Sequence, residues 1–181
     1  MNEKKNSISR TSLIAFSAIF TALVAVVTIV FPIPLLDTKG FLNFGDAVIF
    51  VTGIFFGPFA GLIAGGLGSA VADAYLGYFM WVPFTLIIKG AEGFVVGFAA
   101  RLLVNVLPKK LTFVSYFIAM IAASLVMVAG YFFATAILYG FPVALIGIIE
   151  SLIQTSASIA IAFVLIGVSK TALSTIERRK R

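Results

Sequence analysis

The sequence predicts an all-α membrane protein, a six-transmembrane-helix bundle forming a single integral membrane domain over residues 1–181. Three observations carry that prediction. Of 181 residues, 61% are hydrophobic and only 11% charged, whereas a soluble domain carries about 25% charged residues and uses them to wet its surface. With mean hydropathy at +1.16, the exterior must face lipid rather than water. The apolar residues also fall into six runs, separated by proline, glycine and charge clusters. Finally, Lys and Arg gather at the two ends and in one internal loop, as the positive-inside rule requires.

The first run, residues 12–30, follows the basic "MNEKKNSISR". It is too long for a signal-peptide core and every later run is also apolar, so it reads as a retained helix. It ends at "FPIPLLDTKG", where two prolines and a charge pair make a loop. The second run, 44–56, is short and covers about 20 Å, less than the ~30 Å hydrocarbon core. "GPFAG" separates it from the third, 58–75, in which Pro58 suits a first helical turn. The fourth, 82–106, stops at "LPKK"; the fifth, 113–138, turns at "YGFP" into the sixth, 143–169. The tail "TIERRKR" is expected in solvent or on headgroups.

An even number of spans puts both ends on one side. Lys4, Lys5 and Arg10 mark one end, and Lys170, Arg178, Arg179, Lys180 and Arg181 the other. Arg101, Lys109 and Lys110 flank a loop on that same side, while the opposite side holds Lys39. Both termini are therefore expected to be cytoplasmic. The net charge of +6 then reflects topology and anionic headgroups, not nucleic acid. Cysteine and histidine are absent, which removes thiolate chemistry, the commonest general base and the commonest metal ligands. Neither an enzyme nor a metal site is expected. The two halves share no motif that would support an inverted-repeat carrier.

Within "LIIKGAEGFVVG", residues 86–97, Lys89 and Glu92 interrupt an apolar helix. A charge at the bilayer centre costs roughly 2.5–3.5 kcal/mol on insertion scales, so it is kept for a reason. Trp81, Thr85, Lys89 and Glu92 share one face of the fourth helix, and Glu150, Gln154 and Ser158 one face of the sixth. Asp46 and Asp73 lie near the outer ends of the second and third helices. All these ionisable groups fall in the outer half or near mid-membrane, so they are expected to line one outward cavity. Phe41, Tyr75, Tyr78, Phe79, Trp81 and Phe84 would ring its mouth. The candidate binding set is Asn43, Asp46, Asp73, Tyr78, Trp81, Phe84, Thr85, Lys89, Glu92, Glu150 and Gln154. Such a pocket suits a small planar heterocycle bearing hydroxyl or amino groups.

Plainer readings stand beside these. Lys89 and Glu92 could be a purely structural i, i+3 pair. The aromatics also fit an interfacial belt. Asp46 is read first as an N-terminal cap of the second helix and only second as a ligand contact. Glycines at 53, 57, 61, 65, 66, 68, 93 and 97 read as internal close packing, whereas Ala18 and Ala22 give the first helix a small-residue face a partner could use.

The A-x-x-x-A pattern at Ala18 and Ala22, "FGDAVIFVTGIFFGPFAG" and the following "DAYLGYFMWVPFTLIIKGAEG" resemble the substrate-binding S components of energy-coupling factor (ECF) vitamin transporters. The likeness covers nearly the whole chain. It implies an S-component-like bundle in the bacterial plasma membrane that binds a vitamin with high affinity and hydrolyses nothing. It also implies partners: a transmembrane energising subunit, met through Ala18 and Ala22, and two ABC-type ATPases that use the ATP. No cofactor is expected on this chain. Within the family it looks closest to members taking hydroxymethylpyrimidine or a pyridoxine-like cargo, with riboflavin as the alternative. A second alternative is a stand-alone ion-coupled carrier using Glu92 and Glu150 as relays.

Overall fold

The computed structural model describes residues 10–34 and 41–179. Lys4, Lys5, Lys39, Lys180 and Arg181, and most of the loop after the first helix, lie outside the described residues. Among the described residues six α-helices follow in order: α1 (Arg10–Val30), α2 (Gly45–Phe56), α3 (Pro58–Tyr75), α4 (Val82–Val106), α5 (Thr112–Tyr139) and α6 (Phe141–Arg179). Five match the expected runs to within two residues at each end. The sixth continues ten residues past its expected end at 169, because "KTALSTIERR" contains no proline or glycine and is largely made of good helix formers. The sequence reading also missed a short antiparallel pair, β1 (Ile33–Pro34) with β2 (Phe41–Leu42), in which Ile33 faces Leu42.

The helix breaks follow from local chemistry. Gly57 holds φ at +100° between α2 and α3, and Pro58 then opens α3. The guanidinium of Arg101 fills the space a side chain at Gly57 would need and donates to the Phe56 carbonyl at 3.1 Å, closing the C-terminal end of α2. Gly140, at φ +90°, ends α5 just before Pro142 enters α6. A single 3₁₀ turn, Lys109–Leu111, joins α4 to α5.

Small residues set how closely the helices approach. A Cβ at Gly93 would strike the Gly61 carbonyl, and one at Gly61 would strike the Gly93 carbonyl. The α3 and α4 backbones therefore touch directly, as expected of internal small-residue packing. An apolar cluster of Phe50, Ile54, Val96, Met120 and Ile166 fills the half of the bundle near Arg101, and Val24, Ile49 and Ala64 join α1 to α2 and α3. A third cluster, Trp81, Ile88, Met127 and Ala134, occupies the opposite end.

The outside of the bundle is apolar. Ile14, Ile87, Phe98, Leu125, Ile137 and Val164 are all exposed. The stretches Lys109–Tyr139 and Phe141–Ser169 are long and apolar enough to cross a membrane, yet only 33% and 28% of their most apolar windows are buried inside the protein. Such surface is stable against hydrocarbon and not against water.

Candidate functional site

The site begins with one continuous hydrogen-bonded chain through the bundle. Thr28 of α1 donates to Asn43 Oδ1 at 3.4 Å, and the same oxygen accepts the Gly45 N–H at 2.8 Å. The Asn43 N–H donates to Gln154 Oε1 of α6 at 3.1 Å, and Gln154 Nε2 donates to Asp46 Oδ2 of α2 at 2.9 Å. Asp46 Oδ1 accepts from the Lys89 ammonium of α4, which also donates to Glu92 Oε2 at 3.0 Å. Lys89, Asp46 and Glu92 are at most 2% exposed. One buried cation is thus held between two buried carboxylates. Such an arrangement survives because each charge is paired and hydrogen-bonded.

Above this frame lies a cavity between the helices, about 660 Å³ of space when its open mouth and the solvent there are included. Thr28, Asn43 and Phe41 form part of the wall, with Ser69 and Asp73 from α3. Helix α4 adds Trp81, Thr85 and Lys89; α5 adds Met127, Tyr131 and Thr135; α6 adds Gly147, Glu150, Ser151 and Gln154. These residues come from the ends of α1, α3 and α5 and the beginnings of α4 and α6. The cavity therefore sits at the pole opposite Arg101, where Phe16 of α1 packs on Phe56 with ring centroids 4.6 Å apart.

Aromatic packing stiffens the walls. Trp81 contacts Tyr131, Tyr139 and Phe84 at centroid distances of 5.8, 6.0 and 6.5 Å. The Lys89 ammonium lies 5.5 Å from the Tyr131 ring centre, a cation–π contact. The Tyr131 hydroxyl lies 3.2 Å from Thr85 Oγ1. Two buried polar atoms of the lining, Asp73 Oδ2 and Trp81 Nε1, have no protein hydrogen-bond partner among the described residues. One accepts and the other donates, so the wall offers both functions to a guest.

Of the eleven residues singled out from sequence, Asn43, Asp73, Trp81, Thr85, Lys89, Glu150 and Gln154 line this cavity together. Asp46 and Glu92 stand behind Lys89 and hold it. Tyr78 and Phe84 are second-layer supports, Tyr78 packing on Phe41 at 4.9 Å and Phe84 on Trp81. Tyr75 and Phe79 are exposed. The expected capping role of Asp46 is corrected: the N-cap residue of α2 is Phe44, which makes no side-chain capping bond among the described residues, and the Asn43 side-chain oxygen accepts the first free N–H, that of Gly45. A buried ammonium demands a carboxylate more strongly than a helix end does, so Asp46 turns to Lys89. Sequence reasoning passed over Thr28, Ser69, Met127, Tyr131, Thr135, Gly147 and Ser151. The i, i+4, i+8 spacing of Met127, Tyr131 and Thr135 was the available signal, hidden because α5 carries no charge inside its span. On the outside of α1, Ala18 and Ala22 are both exposed.

A helical bundle with an apolar exterior and one polar cavity walled by aromatics has the build of a membrane-embedded binding protein. The chain belongs to the family of ECF-type riboflavin transporter S components, whose family description it matches over residues 8–171. Its fold is that of a solved S component of a bacterial ECF transporter, with TM-score 0.65 and 22% identity over 93% of this chain and 99% of that one. It is 29% identical over 149 residues to the thiamine precursor transporter HmpT of Lactococcus lactis subsp. cremoris, covering 82% of this chain and 81% of HmpT. It is also 39% identical over 117 residues to an uncharacterised protein of the gap 3′ region of Pyrococcus woesei, covering 65% of this chain and 74% of that one. The protein is thus a substrate-binding membrane subunit of an ECF transporter and not an enzyme.

Proposed function

We propose that this S component binds hydroxymethylpyrimidine, a thiamine precursor, in the cavity over Lys89. The observation that carries the reading is the charge state of the wall. Among the described residues the one lining cation, Lys89, is already held by Asp46 and Glu92, so it leaves little positive charge for a phosphate or a carboxylate. The groups open to a guest are the Asp73 carboxylate, the Trp81 N–H, and the Glu150 and Ser151 side chains of α6. An aminated pyrimidine supplies donors to the carboxylates, a ring-nitrogen acceptor to Trp81 and a flat face to Trp81 and Tyr131. The likeness to a thiamine precursor transporter supports the same cargo.

In this reading the chain forms one integral domain with six spans and both termini in the cytoplasm, and the cavity opens outward. The basic residues Arg101, Lys109 and Lys110 near the opposite pole support that orientation. Cargo passes inward when the exposed Ala18–Ala22 face of α1 docks on the energising subunit, with two ABC-type ATPases supplying the work. The chain itself carries no cofactor. Riboflavin is the second reading, favoured by the family description; pyridoxine is the nearest competitor by size and hydroxymethyl groups.

Mass spectrometry of ligand extracted from the detergent-purified protein, followed by titration calorimetry, tests the cargo. Hydroxymethylpyrimidine should co-purify and displace nothing tighter. Recovery of riboflavin in its place, or preferential binding of pyridoxine, would refute the assignment. Uptake into vesicles lacking the partner subunits would favour the ion-coupled carrier.

A further inference from the structure

One turn beneath the cavity floor, the interior is polar where packing alone would make it apolar. Phe50, Val96, Met120 and Ala162 belong to one buried apolar cluster built from α2, α4, α5 and α6. Four residues nearer the cavity on the same helix faces stand Asp46, Glu92, Ser124 and Ser158. All four are buried. Asp46 is engaged by Lys89 and Gln154. Each of the other three presents an oxygen with no protein hydrogen-bond partner among the described residues: Glu92 Oε1, Ser124 Oγ and Ser158 Oγ.

The serines are informative because they forgo the usual alternative. A helical hydroxyl commonly bonds the carbonyl one turn back, as Ser115 does to Leu111, Ser156 to Leu152 and Ser169 to Leu165. Ser124 and Ser158 do not. Buried polar atoms without a protein partner are the ordinary seat of internal water, which needs two to four polar neighbours. We propose that Glu92, Ser124 and Ser158 hold an ordered internal water between the cargo cavity and the apolar core. The water accepts from the two serine hydroxyls and donates to Glu92 Oε1, tying α5 and α6 to the Lys89–Glu92 pair. A neutral guest fits better than a second cation, which would sit beside the Lys89 ammonium and be repelled by it. This site is independent of the identity of the cargo.

A structure of the full chain in lipid nanodiscs, at a resolution that shows ordered water, tests the proposal. A density peak should lie about 2.7–3.2 Å from Glu92 Oε1 and from at least one serine hydroxyl. The Ser124→Ala/Ser158→Ala variant should lose the peak, and its thermal midpoint should fall by roughly 2–8 °C. An empty layer, with both serines turned back to the Met120 and Gln154 carbonyls, would overturn the proposal. So would a peak coordinated by five or more oxygens at roughly 2.3–2.6 Å, the signature of a bound metal ion. Should the double variant fail to fold, the wild-type map decides alone.

Discussion

Gln154 donates to Asp46 at 2.9 Å across 108 residues of sequence, and its amide oxygen accepts the Asn43 N–H at 3.1 Å. This one side chain lines the cavity and also grips the carboxylate that holds Lys89. Binding wall and structural frame are therefore one network, and substitutions separate according to which part they touch.

Lys89 belongs to the frame first. Lys89→Met leaves Asp46 and Glu92 buried without their cation, a loss of about 3–5 kcal/mol. The thermal midpoint of the detergent-solubilised protein should drop sharply. Adding Glu92→Gln to Lys89→Met should recover part of the loss, because the two residues couple directly. Additive losses in the double-mutant cycle would show that the pair does not exist in solution.

Glu150 belongs to the wall. It lines the cavity and is only half-buried, and it does not join the Asp46–Lys89–Glu92 ion pairs. Glu150→Gln should therefore weaken cargo binding about tenfold, a change of roughly 1.4 kcal/mol, with no measurable shift in unfolding. Calorimetry and a melting curve on the same preparation check both halves of the statement.

Asp73 should show a trade-off. Its Oδ2 is buried and has no protein hydrogen-bond partner among the described residues, which costs stability in the empty protein and suits a donor on the cargo. Asp73→Asn should leave the melting temperature unchanged or higher while reducing affinity about 5–150-fold, the equivalent of 1–3 kcal/mol. A drop in both would make Asp73 a structural residue.

Gly93→Ala tests the contact that sets helix spacing. The added methyl would strike the Gly61 carbonyl, and overpacking of this kind costs about 1–3 kcal/mol. Expression and melting temperature should fall. Binding by the fraction that folds should weaken as well, because α3 and α4 each supply cavity residues.

Ala18→Trp probes the outer face of α1. Ala18 is exposed and distant from the cavity, so ligand affinity should be unchanged while uptake in cells carrying the complete transporter is lost. Normal uptake would remove this face from coupling.

Composition and pattern alone determined that the chain lives in a membrane, where five of its helices lie to within two residues, and that the stripes Trp81, Thr85, Lys89 and Glu92 on α4 and Glu150, Gln154 and Ser158 on α6 face inward. Those are local properties, set by hydropathy, proline, glycine and helical spacing. They also sufficed to bring together Trp81, Thr85, Lys89, Glu150 and Gln154 as one candidate wall. What only the tertiary structure decided is partnership. Lys89 could pair with Glu92 by spacing, but its bond to Asp46 spans 43 residues and has no periodic signature. The uncharged α5 face of Met127, Tyr131 and Thr135 becomes cavity wall only because α4 and α6 pack on either side of that helix. Burial makes the difference: once water is excluded, each charged or polar group takes the nearest complementary atom in space, and that neighbour depends on how six helices meet rather than on the order of residues within any one of them.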